Sequence, residues 1–78
     1  MVFPKLFTLT FDVDGDSLPN NRTYRTKREA LDAIEAYIYE LHRQGRLTFR
    51  EDRELGVRFD FVDERGIKHF GLVEICPL

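Results

Sequence analysis

Two hydrophobic periodicities divide the chain into strands and one helix. Near the beginning, Phe7, Leu9, Phe11 and Val13 alternate with polar residues, and a period of two predicts a half-buried strand. Further along, apolar residues recur at spacings of three and four, which predicts an amphipathic helix. The residues of this apolar stripe are Ala30, Leu31, Ile34, Tyr37, Ile38 and Leu41.

Capping signals bound the predicted helix on both sides. The segment Thr26 to Glu29 (TKRE) has the pattern of a capping box, in which the Thr hydroxyl accepts from the Glu29 amide and the Glu carboxylate reaches back to the Thr26 amide. Gly45 follows the apolar stripe and can adopt the left-handed conformation that ends many helices. We therefore expect about five helical turns between these residues.

Three further strands are predicted after the helix, in RLTFRED, GVRFDFVDE and GIKHFGLVEI. The last two are joined by Asp63 to Gly66 (DERG), a turn sequence with glycine in the last position. A chain of 78 residues has room for one small domain, spanning 1–78. The predicted fold class is α+β, with one helix packed on a three- to four-stranded, mostly antiparallel sheet in the order β-α-β-β(-β).

Alternation also assigns the last strand's side chains to faces of the sheet. If Ile67, Val73 and Ile75 face the helix, the residues between them face away from it. The resulting open face is predicted to carry Lys68, Phe70, Leu72 and Glu74, together with Arg58, Asp60 and Val62 of the preceding strand. Adjacent apolar residues ringed by charges have the composition of an interface centre with a polar rim.

Composition and charge narrow the possible partners. The chain is 42% hydrophobic and 33% charged, which is typical of a globular domain, and its net charge of −2 gives no overall attraction for nucleic acid or anionic membranes. It has no apolar run long enough to span a membrane, and the start MVFPKLF lacks a secretory leader. The single Cys76 fits a reducing compartment. We expect a cytoplasmic protein.

The acidic stretch TFDVDGDSLPNN, Thr10 to Asn21, raises the possibility of a calcium loop. Such a loop needs glycine at its sixth position and a bidentate Glu at its twelfth, but counting from Asp12 these positions hold Ser17 and Thr23. Asp-Gly, Ser, Pro and Asn are all turn formers. The stretch is therefore predicted to be a turn, with no metal site.

The residues that commonly perform catalysis are too few and too scattered to predict an active site. The only Ser lies in the acidic turn and the only Cys lies near the end of the sequence, so neither is placed beside a base. His42 and His69 are not paired by spacing with a carboxylate or thiol, and two His with one Cys make a poor zinc site. We predict no enzyme activity, no catalytic residues and no cofactor.

One segment resembles a nucleic-acid-binding strand. Lys68 to Ile75 (KHFGLVEI) resembles the RNP1 strand of RNA-recognition motifs, with matches at Lys68, Phe70, Gly71 and Val73. Leu72 stands where that family has a stacking aromatic. The resemblance implies RNA or single-stranded DNA binding, with bases stacking on Phe70 and with Arg58 and Lys68 contacting phosphates.

The leading functional hypothesis is a small, non-enzymatic protein that acts through protein–protein contacts. The predicted contact residues on the sheet are Phe70, Leu72, Val62, Arg58 and Lys68, and Tyr39 with Glu35 form a rival surface on the helix. The partner would be a protein, such as a nucleic-acid-handling complex, or a second copy docked on the open face. Small acidic domains of this kind occur among phage and plasmid accessory proteins that block host complexes, including anti-CRISPR proteins. Binding of RNA or single-stranded DNA by the sheet is the alternative.

Overall fold

The structure is a computed structural model that describes residues 6–18, 20 and 22–78. Within these residues, one helix and five strands follow one another along the chain. They are β1 (Phe7–Val13), β2 (Asp16–Leu18), α1 (Lys27–Arg43), β3 (Leu47–Arg53), β4 (Gly56–Val62) and β5 (Lys68–Pro77).

The five strands form one antiparallel sheet in the order β2-β1-β5-β4-β3. The final strand, β5, therefore lies at the centre of the sheet, between β1 and β4. The helix covers one face of this sheet, and the α+β class predicted from the sequence is confirmed. The predicted number of three to four strands is too small, because it omits β2.

The missed strand follows a two-residue hairpin turn. Asp14 and Gly15 have φ angles of 54° and 85°, and positive φ at both central positions is characteristic of the type I′ turn that Asp-Gly favours. The chain then returns along β1, pairing Phe11 with Leu18 and Val13 with Asp16. The sequence prediction treated this whole segment as a turn. Pro19 and Asn21, assigned to that turn, and residues 1–5 lie outside the described residues.

Both predicted helix caps are present, with one difference in hydrogen bonding. Thr26 Oγ1 accepts from the Glu29 amide at 3.1 Å, whereas the Glu29 carboxylate accepts from the amide of Arg25 instead of Thr26. At the other end, Gly45 has a φ of 70°. Its amide donates to His42, and the Arg46 amide donates to Leu41, which together make a Schellman motif.

The hydrophobic core lies between α1 and the sheet. Its fully buried members include Ile34 and Ile38 of the helix and Phe59 of β4. Gly71 of β5 pairs with Phe59, and a Cβ atom at position 71 would lie 2.5 Å from Phe59 Cζ, so the ring occupies the space that a side chain would need. Val73 and Ile75 face the core as predicted. Ile67 does not: it lies in the turn before β5, is 52% exposed, and the prediction that it faces the helix is wrong.

Candidate functional site

The side of the sheet opposite α1 is the candidate site, and we call it the open face. Strand alternation and the register of the sheet place on it Phe49, Glu51, Arg53, Arg58, Asp60, Val62, Lys68, Phe70, Leu72 and Glu74, with Asp12 of β1 at one margin. Phe70 is the most exposed apolar residue of this group, with 54% of its surface accessible. Leu72 and Val62 are half-buried. The sheet thus presents an apolar centre to solvent.

Strands β4 and β5 arrange the centre of the open face in four cross-strand rows. From one end of the strands to the other, the paired residues are Val62 with Lys68, Asp60 with Phe70, Arg58 with Leu72, and Gly56 with Glu74. Each row therefore places a charged side chain beside an apolar residue or glycine. Charges of both signs lie within this short distance of the exposed Phe70.

Asp60 is an unusual member of the open face because it is buried. Its residue is only 6% exposed, and Asp60 Oδ1 is the one buried side-chain oxygen or nitrogen in the described chain without a hydrogen-bond partner. The nearest cation is Arg58, whose Nη2 lies 3.7 Å from that oxygen, beyond hydrogen-bonding distance. A buried carboxylate oxygen left without a donor is destabilising. In the isolated chain, the open face therefore contains one buried acceptor, Asp60 Oδ1, without a hydrogen-bond donor.

Cations of the open face lie over aromatic rings. Lys68 Nζ is 5.8 Å from the centre of the Phe70 ring, and Arg58 Cζ is 5.0 Å from the centre of the Phe49 ring. Sequence reasoning missed Phe49 as a surface residue. A shift of the β3–β4 register between Leu47 and Phe49 accounts for this, since it turns Phe49 away from the core.

A shallow groove crosses the open face beside Phe70. It has a volume of about 420 Å³ and is lined by Asp12, Gly15, Arg53, Arg58, Phe70, Gly71 and Leu72. Acidic and basic walls therefore flank an apolar floor. This groove is wide open, and its shape suits a protein surface better than an enclosed small molecule.

The rival surface on the helix lies on the far side of the molecule. Tyr39 is 63% exposed and points away from the sheet, because the buried helix residues lie on the opposite side of α1. Glu35 is bound to Arg50 of β3 by hydrogen bonds and an ion pair. The structure thus separates Tyr39 and Glu35 from the other predicted contact residues.

His69 forms a clasp with two carboxylates, which the sequence analysis did not anticipate. His69 Nδ1 lies 2.6 Å from Asp14 Oδ2, and His69 Nε2 lies 2.8 Å from Asp63 Oδ2. These hydrogen bonds raise the pKa of His69 and lower the pKa of both Asp14 and Asp63. The imidazole ring also stacks on the Phe61 ring, with 5.2 Å between the two ring centres. The clasp joins the β1–β2 turn to the β4–β5 turn.

Asp12 and Asp14 of the first turn make separate contacts and do not converge on one point. Asp12 accepts from the Ser17 hydroxyl at 2.6 Å, whereas Asp14 accepts from the Phe70 amide and contacts His69. Among residues 6–18, 20 and 22–78, no group of three or more His, Cys, Asp or Glu side chains is arranged to hold a metal ion.

The described part of the chain contains no helix that is long and apolar enough to span a membrane. There, α1 is too short and too polar to cross a bilayer, and no other helix is present to do so.

Comparison with known proteins identifies no relative. No protein-family model matches the chain, and no curated protein or solved structure matches it significantly.

Proposed function

We propose that this chain is a small, non-enzymatic, cytoplasmic binding protein that acts through protein–protein contact at the open face. The observation that supports this proposal is the exposure of Phe70 on an otherwise well-formed sheet. Its neighbours Leu72 and Val62 are half-buried, and charges of both signs surround the three. A desolvated aromatic anchor within a polar rim is the usual composition of a protein interface.

The charge distribution favours a protein partner over a nucleic acid. Phosphate backbones are bound by a surplus of basic side chains, which makes nucleic-acid binding steeply dependent on salt. On the open face, the basic residues Arg53, Arg58 and Lys68 are offset by the acidic residues Asp12, Glu51, Asp60 and Glu74. A partner that matches this face should carry an apolar patch with both acidic and basic residues around it.

Binding of RNA or single-stranded DNA is the second candidate function. One observation favours it: Lys68 lies over Phe70, so a base stacked on the ring would have a cation beside its phosphate. The acidic residues of the same face weaken this possibility.

The biological role that fits such a protein is occupation of a surface on a larger complex. Small accessory proteins of phages and plasmids, including anti-CRISPR proteins, block host complexes in this way. We propose that role for this chain by analogy of size and charge with those proteins.

Site-specific photocrosslinking tests the proposal. A photoreactive phenylalanine analogue is placed at Phe70 on the open face or at Tyr39 on the helix, and each variant is irradiated in the source cell. The adducts are treated with nuclease and identified by mass spectrometry. We expect protein adducts from position 70, including adducts between copies of the chain, and few from position 39.

Two other results would contradict the proposal. Adducts that consist only of nucleic acid at position 70 would favour the second candidate, and binding to a labelled single strand that disappears in moderate salt would agree with it. Protein adducts at position 39 alone would move the binding surface to the helix.

A further inference from the structure

We propose that the open face binds a second copy of the same face, related by a two-fold axis that runs across β4 and β5 between the Asp60–Phe70 and Arg58–Leu72 rows. This inference rests on the proposed function and names the partner. It is carried by the order of side chains along the two strands and by the unpaired carboxylate of Asp60.

The outward residues of β5 are self-complementary when the strand is reversed. Lys68, Phe70, Leu72 and Glu74 run from positive through apolar and apolar to negative. A two-fold axis perpendicular to the strand reverses this order in the second copy. Lys68 then lies opposite Glu74 of the second copy, and Phe70 lies opposite its Leu72, with each contact made twice by symmetry.

The outward positions of β4 are complementary about the same axis. In the same direction along the rows they are Val62, Asp60, Arg58 and Gly56, and reversal places Val62 over Gly56 and Asp60 over Arg58. The Val62 side chain thus faces a glycine, which has no side chain, and the acidic Asp60 faces the basic Arg58. Because β4 and β5 are in register, one axis satisfies both strands simultaneously. Two independent strand patterns therefore indicate the same arrangement.

Asp60 supplies the observation that a monomer leaves unexplained. Its Oδ1 has no donor within the described chain, and its own Arg58 remains 3.7 Å away. Asp60 is only 6% exposed, so in the proposed dimer the guanidinium of Arg58 from the second copy lies over the Arg58–Asp60 pair and acts on the carboxylate without touching its buried Oδ1. A second cation and exclusion of water from the face strengthen the attraction between Arg58 and Asp60.

Sheet geometry permits this contact but limits its strength. Face-to-face sheets pack with their strands within about 30° of alignment, as an axis perpendicular to the strands requires. The four rows span about 20 Å along two strands, which is a smaller patch than the roughly 800 Å² that each partner buries in a standard interface. At the rim, Phe49 would lie over Glu51 of the second copy, so β3 adds little. We therefore expect a reversible dimer.

Charge reversal in the purified chain tests the arrangement. Sedimentation equilibrium from micromolar to millimolar protein should show a monomer–dimer equilibrium for the wild type. Lys68→Glu places a second carboxylate opposite Glu74 twice per dimer, and Glu74→Lys places two lysines together. Each single variant should weaken dimerisation about tenfold or more, since both symmetry-related contacts become repulsive.

Two combinations should restore the dimer and exclude a general effect of charge. The double variant Lys68→Glu, Glu74→Lys recreates the opposite-charge contacts within a homodimer, so its dissociation constant should return close to that of the wild type. An equimolar mixture of the two single variants should form a heterodimer. Lys27→Glu makes the same change of net charge as Lys68→Glu but at the first residue of α1, on the helix side, and should leave dimerisation unchanged.

Each possible outcome supports or contradicts the inference. A wild-type chain that stays monomeric throughout would overturn it, as would single charge reversals without effect or a double variant that stays monomeric. Thermal melts confirm that every variant is folded. A monomeric chain whose position 70 still crosslinks to a different protein would refute the dimer while leaving the proposed function intact.

Discussion

The two faces of the sheet are made by the same strands and have opposite character. On the covered face, Phe59 and Val73 are completely buried against α1. On the open face of the same strands, Phe70 is 54% exposed and the buried Asp60 Oδ1 has no hydrogen-bond partner. Strict alternation therefore separates the residues that stabilise the fold from those available for binding.

The side chains that surround an apolar residue show whether it stabilises the core or is available for binding. Phe59 and Phe70 are the same residue type on adjacent strands of one sheet. Phe59 packs against Tyr37 of the helix and Phe61 of its own strand, whereas Phe70 lies under Lys68. Burial of the Phe59 ring stabilises the folded chain, whereas the exposed part of the Phe70 ring can still be buried against a partner.

The largest expected effect separates these two phenylalanines. Phe59→Ala should lower the free energy of unfolding by about 3–5 kcal/mol, because it removes a fully buried ring from the core. Phe70→Ala should change it by no more than about 0.5 kcal/mol, since the ring is mostly exposed. Denaturant titration of both variants measures the difference.

Association should respond in the reverse order. Phe70→Ala should weaken self-association while the protein stays folded. If Phe70→Ala instead unfolds the protein, the two faces have been assigned the wrong way round, and the helix surface around Tyr39 becomes the leading site.

A second prediction concerns the glycine that fits beneath Phe59. Gly71→Ala should cost about 1–3 kcal/mol, because the added methyl group would lie 2.5 Å from the Phe59 ring. The cost should shrink in a Phe59→Leu background, where that part of the ring is absent. An equal cost of Gly71→Ala in both backgrounds, measured as a double-mutant cycle, would show that the methyl group and the ring do not compete for space.

These elements show which parts of the fold are readable from sequence. The helix and the long strands span enough residues to repeat their periods, so their positions could be predicted. Strand β2 has three residues and cannot show a period; only the Asp-Gly turn before it indicated a hairpin. Ile67 was assigned to the core by extending alternation backwards from β5, but the strand begins one residue later.

The third prediction tests the helix that covers one face. Thr26→Ala should lower stability by about 0.5–2 kcal/mol, because it removes the hydroxyl that accepts from the Glu29 amide. Since α1 and the open face lie on opposite sides of the sheet, the folded variant should self-associate as the wild type does. Unchanged stability in chemical denaturation would mean that the Thr26 hydroxyl does not stabilise the helix.

The site was only partly predictable, for a physical reason. Alternation assigns Phe70, Leu72 and Arg58 to a face without any knowledge of the sheet's order. The pairing of His69 with Asp14 depends on contact between residues 55 positions apart, and the position of β5 beside β1 was not evident from the sequence. Likewise, the placement of the half-buried Phe49 on the open face depends on a register shift between Leu47 and Phe49, which a period of two does not predict.

The smallest expected effect is a dependence of stability on pH through the His69 clasp. The pKa of His69 is raised above 6.5 by its hydrogen bonds to Asp14 and Asp63, so its contribution is complete below pH 6.5 and is lost as pH rises through the raised value. The carboxylates contribute in the opposite sense, because their pKa values are lowered below 3.8 and their stabilisation is lost on acidification. Stability from the clasp should therefore be greatest between these limits.

Melting temperatures of matched histidine variants isolate this effect. His69→Gln should abolish the decline in melting temperature above pH 6.5, whereas His42→Gln, at an exposed helix position, should retain it. Equal declines in both variants would exclude the clasp as the cause. His69 pairs with Phe61 on the covered side of the sheet, and the chain's other histidine is on the helix. Because neither histidine lies on the open face, self-association should stay constant between about pH 6 and 8, the range in which histidine usually changes charge.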